Sequence, residues 1–206
     1  MSPTPPPFPE YKLALLGFGN VGQAFIELLL KKKSELTTDP GLSFRVVGIA
    51  SGSHGRAVNS QGLPLQELLE FFRSGGSLNE FSSAPIADSQ EFIQACGADA
   101  LVESTPVNYQ TGEPALSYLR NALEAGMHAV TANKGPVVHG YRELTNLARR
   151  GGLSFFFEST VMDGTPVFAI HLESVPSFRD TRIDTQPPVC RLYSENVLRG
   201  RLVSPR

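Results

Sequence analysis

Short apolar runs and amphipathic stretches alternate along most of the chain. Each apolar run has the length of a β-strand, and the stretches between them carry apolar residues at the three- and four-residue spacing of a helix face. The predicted strands are 12–16, 44–50, 100–103, 128–131 and 153–157. The first predicted helix starts at residue 21, and the later predicted helices cover 65–72, 89–95, 113–125 and 141–150. This alternation predicts an α/β fold with a parallel, doubly wound sheet.

The first predicted helix has an apolar face made by Val21, Phe25, Leu28 and Leu29. We expect the chain to leave this helix in a loop over 35–42, which contains an Asp-Pro-Gly turn sequence. The three lysines at 31–33 would then lie near the helix C-terminus, where positive charge is favourable.

A glycine motif joins the first predicted strand to the first predicted helix. Gly17, Gly19 and Gly22 have the G-x-G-x-x-G spacing, with a strand before them and a helix after them. In this motif the first glycine allows a tight turn, the second lets backbone N–H groups approach a pyrophosphate, and the third lets the helix pack closely. The helix N-terminus favours the phosphate charge. The motif therefore predicts dinucleotide binding, and the alternative is a glycine turn that only packs.

The residues after the second predicted strand bear on the choice of cofactor. Many dinucleotide folds have an acidic residue at this point, which accepts hydrogen bonds from the adenosine ribose. Here the segment 50–56 carries serines and Arg56 instead. This favours NADP, whose 2′-phosphate an arginine can bind, and leaves NAD open. The alternative for Arg56 is an exposed loop cation.

Polar residues follow the later predicted strands. Thr105, Lys134 and Glu158 each come just after such a strand, and ligands of open α/β sheets bind beyond the carboxyl ends of strands. We expect Thr105 to contact the cofactor, whereas Lys134 by position alone is more typical of a solvated charge. Cys96 and Cys190 lack C-x-x-C spacing, which argues against zinc and disulfides, and Cys96 is expected to be a buried helix residue.

The composition narrows the function classes. The chain has 206 residues, 41% hydrophobic and 18% charged, with a net charge of −2. These values are ordinary for a soluble globular protein and give no field for binding nucleic acid. The proline-rich residues 1–10 are expected to be a flexible leader, and the sequence contains neither a signal-peptide pattern nor a membrane-length apolar run. We therefore expect a cytoplasmic protein without membrane contact.

Three sequence blocks resemble homoserine dehydrogenase: GFGNVG at 17–22, VESTPVNYQTGEPALSYLRNALEAGMHAVTANKGPVV at 102–138, and FFFESTVMDGTPVF at 155–168. The resemblance implies a Rossmann NAD(P)-binding domain over 11–170. It also implies oxidation of L-homoserine to L-aspartate 4-semialdehyde with NAD or NADP, or the reverse, on the route to threonine, methionine and isoleucine.

The resemblance also implies roles for individual residues. Phe18, Gly19, Asn20 and Val21 would line the cofactor phosphates, between Gly17 and Gly22. Thr105 would meet the nicotinamide end, and Lys134 would contact cofactor and substrate as the catalytic lysine. A monovalent cation, commonly sodium, would be held by Glu158, Val161, Asp163 and Thr165. The alternative for Glu158 is that it caps a helix indicated by 165–168.

The resemblance ends near residue 169. In the family a catalytic and substrate-binding domain follows, with a second lysine that transfers the proton, whereas here residues 171–206 form a short divergent tail without any lysine. We therefore expect a truncated enzyme that is weakly active or inactive alone. The alternative is a non-catalytic dinucleotide-binding module or partner subunit. Because family dimers form largely through the absent domain, a homo-oligomer is left open.

Overall fold

The sheet has six strands in the order β3-β2-β1-β4-β5-β6. The computed structural model describes residues 9–38 and 42–162. All neighbouring strands are parallel except β3, which is antiparallel to β2. The strands are β1 Glu10–Leu16, β2 Ser43–Ala50, β3 Arg56–Val58, β4 Ala100–Glu103, β5 His128–Thr131 and β6 Phe155–Phe156. The doubly wound α/β sheet is confirmed, and β3 is an addition that the sequence did not predict.

Helices connect these strands on both sides of the sheet. They are α1 Asn20–Thr38, α2 Leu65–Arg73, α3 Ser89–Ala95, α4 Ala115–Glu124, α5 Lys134–Gly151 and α6 Ser159–Met162. A 3₁₀ turn, Leu78–Phe81, lies between α2 and α3. None of the helices within the described ranges is long and apolar enough to cross a membrane.

Successive residues of β1 alternate between two cores. Leu13 and Leu15 pack with Ile26 of α1 and with the apolar face of α2. Ala14 and Leu16 point the other way, into a cluster with α3 and α4. This two-residue periodicity places one helical layer on each face of the sheet. A further cluster joins α4, α5 and β6.

Two helix predictions were wrong at their boundaries. Helix α1 continues to Thr38, so part of the predicted loop is helical and the lysines at 31–33 lie before its last turn. Helix α5 begins at Lys134 rather than near 141. The Gly135-Pro136 sequence concealed this start, although proline is compatible with the first turn of a helix because the N–H groups there lack intrahelical partners.

The predicted apolar face of α1 was also partly wrong. Its buried residues are Gly22 and Ile26, with Phe25 and Leu29 partly buried beside them. Val21 and Leu28 are exposed. Position 22 faces the turn between β1 and α1, where a Cβ atom would meet the Gly17 carbonyl. The buried face therefore runs through Gly22 and Ile26 and away from Val21.

Candidate functional site at the carboxyl edge of the sheet

The turn between β1 and α1 is tightly held by backbone contacts. Gly17 has a φ angle of 104°, and its N–H donates to the Ala50 carbonyl over 2.9 Å. A Cβ atom at position 17 would lie 2.6 Å from the carbonyl carbon of Ser104. Ser104 also fastens the turn, because its hydroxyl donates to the Gly17 carbonyl over 3.1 Å. The predicted need for glycine at this tight turn is confirmed.

The other two glycines of the motif have contrasting surroundings. A Cβ atom at Gly22 would lie 2.5 Å from the Gly17 carbonyl oxygen, so the start of α1 packs against the turn as predicted. A Cβ atom at Gly19 would have no neighbour within 4 Å. Gly19 therefore leaves open space over the first turn of α1, where the free N–H groups of the helix begin. A side chain at position 19 would fill this open cradle. Helix N-termini favour phosphate groups, and phosphate binding here stays a prediction.

The side chains of the residues beside Gly19 differ in what they can contact. Phe18 is 2% exposed, and its ring packs edge-on against Phe72 with a centroid distance of 4.8 Å. Only the backbone of Phe18 is therefore available to line a ligand. Asn20 and Val21 are exposed at the start of α1, with Val21 59% exposed. Their contact with phosphates stays a prediction.

Arg56 does not lie in a loop, because it is the first residue of β3 and pairs with Ala50 of β2. Its backbone N–H donates to Asn79 over 2.8 Å, and its Nη1 donates to the Ala87 carbonyl over 3.2 Å. Its Nε is buried without a hydrogen-bond partner among the described residues. Arg56 thus lies beside the last residue of β2, with its guanidinium at the Ala87 carbonyl. Phosphate binding by Arg56 stays a prediction.

The ends of β4 and β5 are joined by a buried carboxylate. Glu103 is the last residue of β4, is 0% exposed and pairs in register with Thr131 of β5. Its Oε1 accepts from the backbone N–H of Thr105 over 2.7 Å and from the Thr105 hydroxyl over 2.5 Å. Its Oε2 accepts from the Thr131 hydroxyl over 2.5 Å. Thr105 is therefore at the predicted edge, with its hydroxyl turned toward Glu103.

Asn133 caps helix α5 immediately before Lys134. Its Oδ1 accepts from the Gly135 N–H over 3.0 Å, and its Nδ2 donates to the Thr105 carbonyl over 3.2 Å and to Glu103 over 3.4 Å. Lys134 is the first residue of α5 and is exposed. No hydrogen bond or ion pair joins its ammonium to the rest of the described chain. A cation at a helix N-terminus opposes the helix dipole, which indicates that stability alone does not explain Lys134.

Sequence reasoning missed Glu103 and Asn133. The available indication for Glu103 was a carboxylate that ends an otherwise apolar strand. For Asn133 it was an N-cap residue three positions before a proline, although the intervening glycine weakens that pattern. Neither indication reveals that the two side chains meet, because β4 and β5 are brought together only by the tertiary fold.

The predicted cation site lies partly outside the described residues. Glu158 follows β6, and Val161 belongs to the short helix α6, whereas Asp163 and Thr165 are beyond the described ranges. Within those ranges no group of three or more His, Cys, Asp or Glu residues could hold a metal. The sodium site and its four residues stay a prediction. The alternative capping helix over 165–168 also lies outside.

Cys96 is buried as predicted, but it lies just after α3 rather than within a helix. It follows α3, where its thiol donates to the Ile93 carbonyl over 3.4 Å. Burial raises the pKa of the Cys96 thiol above its ordinary value. A raised pKa lowers the thiolate fraction at neutral pH, so Cys96 is a packing residue rather than a nucleophile.

Comparison with known proteins identifies the family. A sequence model described as the NAD-binding domain of homoserine dehydrogenase matches residues 17–158. An NAD(+)-dependent homoserine dehydrogenase of Pseudomonas canavaninivorans is 38% identical over 162 residues, covering 78% of this chain and 46% of that protein. A homoserine dehydrogenase of Methanocaldococcus jannaschii is 31% identical, covering 79% of this chain and 48% of that protein.

The fold is also similar to solved structures. A hyperthermophilic archaeal homoserine dehydrogenase mutant in complex with NADPH has a TM-score of 0.67 at 29% identity, covering 82% of this chain and 50% of that one. A homoserine dehydrogenase from Thermoplasma acidophilum has a TM-score of 0.67 at 25% identity, with 81% and 48% covered. The chain thus spans about half the length of the curated relatives it matches. The chain belongs to the homoserine dehydrogenase family and carries its NAD-binding domain.

Proposed function

We propose that this chain binds NAD(P) across the carboxyl ends of β1 and β4. The observation that carries the proposal is the open cradle at Gly19, between Gly17 and Gly22, which are both crowded by backbone. The position agrees with the general rule for open α/β sheets, in which the ligand site lies where the strand order reverses. Here the order reverses between β1 and β4, because β2 lies on one side of this pair and β5 on the other.

The direction of the cofactor follows from the same rule. In dinucleotide folds the adenosine ribose lies at the end of β2, next to the pyrophosphate turn. The nicotinamide end must then extend to the other side, over β4 and β5. Thr105 and Lys134 lie there, since Glu103 and Thr131 end these two strands. This arrangement supports the roles that the family resemblance implies for both residues.

The reaction that fits this site is the interconversion of L-homoserine and L-aspartate 4-semialdehyde, as in the family. When bound, the nicotinamide supplies the hydride acceptor or donor. The Lys134 ammonium would stabilise the negative charge that develops on the substrate oxygen as the substrate hydroxyl loses its proton. Family membership supports a place in threonine, methionine and isoleucine biosynthesis and a cytoplasmic location for the protein.

A second candidate is a dinucleotide-binding module or partner subunit that does not turn over homoserine by itself. The observation that favours it is that residues 135–206 contain no lysine. No residue in that range can therefore act as the second, proton-transferring lysine that the family resemblance implies. Arginine cannot exchange a proton near neutral pH, and a positioned acid–base group accounts for about 10²- to 10⁴-fold in rate. Both candidates share the cofactor site, and they differ in catalysis.

Two measurements test these candidates in turn. Fluorescence titration with NADPH and NADH should give saturable binding to the purified chain, and absence of binding of both by the folded protein would overturn the proposed site. Turnover is then measured with homoserine and the preferred oxidised cofactor. A kcat above about 1 s⁻¹ that is lost in Lys134→Met supports the enzyme. Binding without turnover by the chain alone, and without any increase in the rate of a full-length homologue mixed with it, supports the module.

Cofactor preference depends on Arg56 and the serines before it. We propose that Arg56 favours NADPH over NADH through the 2′-phosphate. In Arg56→Gln the dissociation constant for NADPH should therefore rise relative to that for NADH, while the affinity for NADH stays within about twofold of the wild-type value. An unchanged ratio would return Arg56 to a structural role at the Ala87 carbonyl.

A further inference from the structure

The buried carboxylate of Glu103 requires an explanation that packing does not provide. A fully buried polar group is costly unless it is hydrogen-bonded, and an apolar residue at a strand end avoids this cost. In the four hydrogen bonds of the Glu103 side chain described above, Glu103 is the acceptor. The donors belong to Thr105, Thr131 and Asn133. The donor groups therefore converge on one side chain from the end of β5 and from the segments that follow β4 and β5.

This convergence determines where both segments leave the sheet. On the β4 side, Glu103 holds the backbone and the hydroxyl of Thr105. On the β5 side, the Thr131 hydroxyl donates to Glu103 and accepts from the Asn133 N–H over 2.9 Å. Asn133 in turn caps α5 and donates to the Thr105 carbonyl. The positions of Thr105 and of Lys134 are thus linked through one closed set of hydrogen bonds.

We propose that Glu103 is a positioning residue for the nicotinamide side of the cofactor site. It fixes Thr105 and, through Asn133, the first turn of α5 with Lys134, without touching the ligand itself. The inference rests on the proposed cofactor site and its direction across β4 and β5. It predicts that loss of Glu103 weakens binding of the nicotinamide portion and leaves binding of the adenosine and pyrophosphate portion intact.

The test compares a whole cofactor with its nicotinamide-free fragment. The whole cofactor is NADH or NADPH, whichever binds the wild type more tightly. NADH is compared with ADP-ribose and NADPH with 2′-phospho-ADP-ribose, and calorimetry measures the dissociation constant of each ligand. In Glu103→Ala the whole cofactor should bind about tenfold more weakly, because binding must then also order Thr105 and the first turn of α5. The fragment should change by less than about twofold.

Two further variants separate positioning from stability. Glu103→Gln keeps an oxygen acceptor for Thr105 and presents its amide to the Thr131 hydroxyl, so the ratio of whole-cofactor to fragment affinity should stay near the wild-type value. Asn133→Ser keeps a good helix cap but removes the donor to Thr105, so this ratio should fall as in Glu103→Ala. If Glu103→Ala does not fold, the Asn133→Ser result decides.

Melting temperatures recorded without ligand complete the design. A purely structural Glu103 would lower the melting temperature while both ligands weaken equally or neither weakens, and that result overturns the inference but leaves the cofactor site standing. Wild-type protein that binds whole cofactor and fragment equally well also overturns it. Wild-type protein that binds neither ligand overturns the inference together with the proposed function.

Discussion

Two segments meet at the carboxyl edge of this sheet and are stabilised in different ways. The turn after β1 depends on close backbone approach, with Gly17 and Gly22 in contact with carbonyl groups that leave no room for a side chain. The ends of β4 and β5 depend on side-chain hydrogen bonds to the buried carboxylate of Glu103. The first segment is sensitive to added atoms, and the second is sensitive to lost polar atoms.

This difference separates the two halves of the proposed cofactor site. The phosphate side needs an open backbone surface, because a ligand must approach N–H groups directly. The nicotinamide side needs particular side chains at particular places, which a hydrogen-bonded set of residues can hold. Substitutions that add atoms should therefore damage the first segment, and substitutions that remove polar atoms should damage the second. The following predictions run from the largest effect to the smallest.

The largest effect is expected for Gly17→Ala. The φ angle of 104° is unfavourable for alanine, and the new Cβ atom would collide with the Ser104 carbonyl. The free energy of unfolding should fall by more than about 2 kcal/mol, measured by urea denaturation.

Gly75→Ala is the matched control for this substitution. Its φ angle of 93° also disfavours alanine, but nothing lies within 4 Å of the added atom. The loss there should be about 1 kcal/mol, from backbone strain alone. Equal losses at the two positions would show that close packing against Ser104 does not matter.

The second effect compares two buried threonines by the same substitution. Thr131→Val removes a hydroxyl that donates to Glu103 and accepts from Asn133, so about 1–3 kcal/mol of stability should be lost. Thr145→Val removes a buried hydroxyl that has no hydrogen-bond partner in the described part of the chain. The free energy of unfolding of the Thr145→Val variant should stay the same or rise. Similar losses in both variants would contradict the role assigned to the hydrogen bonds around Glu103.

The third effect has the opposite sign. Lys134→Gln removes a positive charge from the N-terminus of α5, so the free energy of unfolding should rise by about 0.3–1 kcal/mol at low salt. The gain should shrink as salt is added. A loss of stability in thermal unfolding at low ionic strength would mean that the ammonium has a stabilising partner in the native protein.

The smallest effect concerns an exposed pair that joins α4 to α5. Arg120 forms an ion pair with Glu143, and its hydrogen bond lowers the pKa of the Glu143 carboxyl below the ordinary value. This stabilisation is present above the unfolded pKa of about 4.3 and is lost as the pH falls through the folded value. Because the Glu143 side chain is half exposed and that of Arg120 about one-third exposed, Glu143→Gln should cost only about 0.5 kcal/mol at pH 7.

The pH dependence supplies the check on this pair. The stability difference between Glu143→Gln and wild type should shrink as the pH falls below the unfolded pKa and vanish once the folded carboxyl is protonated. A difference that persists in acid would point to packing rather than charge. This exposed pair also gives a reference against which the buried bonds of Glu103 can be judged.

The contrast between the two segments also explains which features of the fold and site could be predicted from the sequence. The doubly wound sheet and the Gly17 turn follow from local information, namely apolar periodicity and glycine spacing within a few residues. Strand β3 was missed because three residues carry too little pattern, and its pairing with β2 is a tertiary contact. The burial of Phe18 against Phe72 was missed for the same reason.

The nicotinamide side could be predicted only in part. Thr105 and Lys134 were placed at strand ends from local sequence, and the early start of α5 was concealed by Gly135-Pro136. The hydrogen bonds from Thr131 and Asn133 to Glu103 join residues 28 and 30 positions apart in the chain, so no local pattern indicates them. The sequence thus supplied the positions of candidate residues, and the fold supplied the contacts that hold them.

The most direct test of the cofactor site is the affinity of Gly19→Thr for NADPH and NADH. Threonine and glycine are comparable as helix N-caps, and nothing lies within 4 Å of a Cβ atom at this position, so the melting temperature should hardly change. The branched side chain should fill the cradle and weaken cofactor binding by about tenfold or more, since it blocks approach to the helix N-terminus. Unchanged affinity in a folded Gly19→Thr protein would contradict the account.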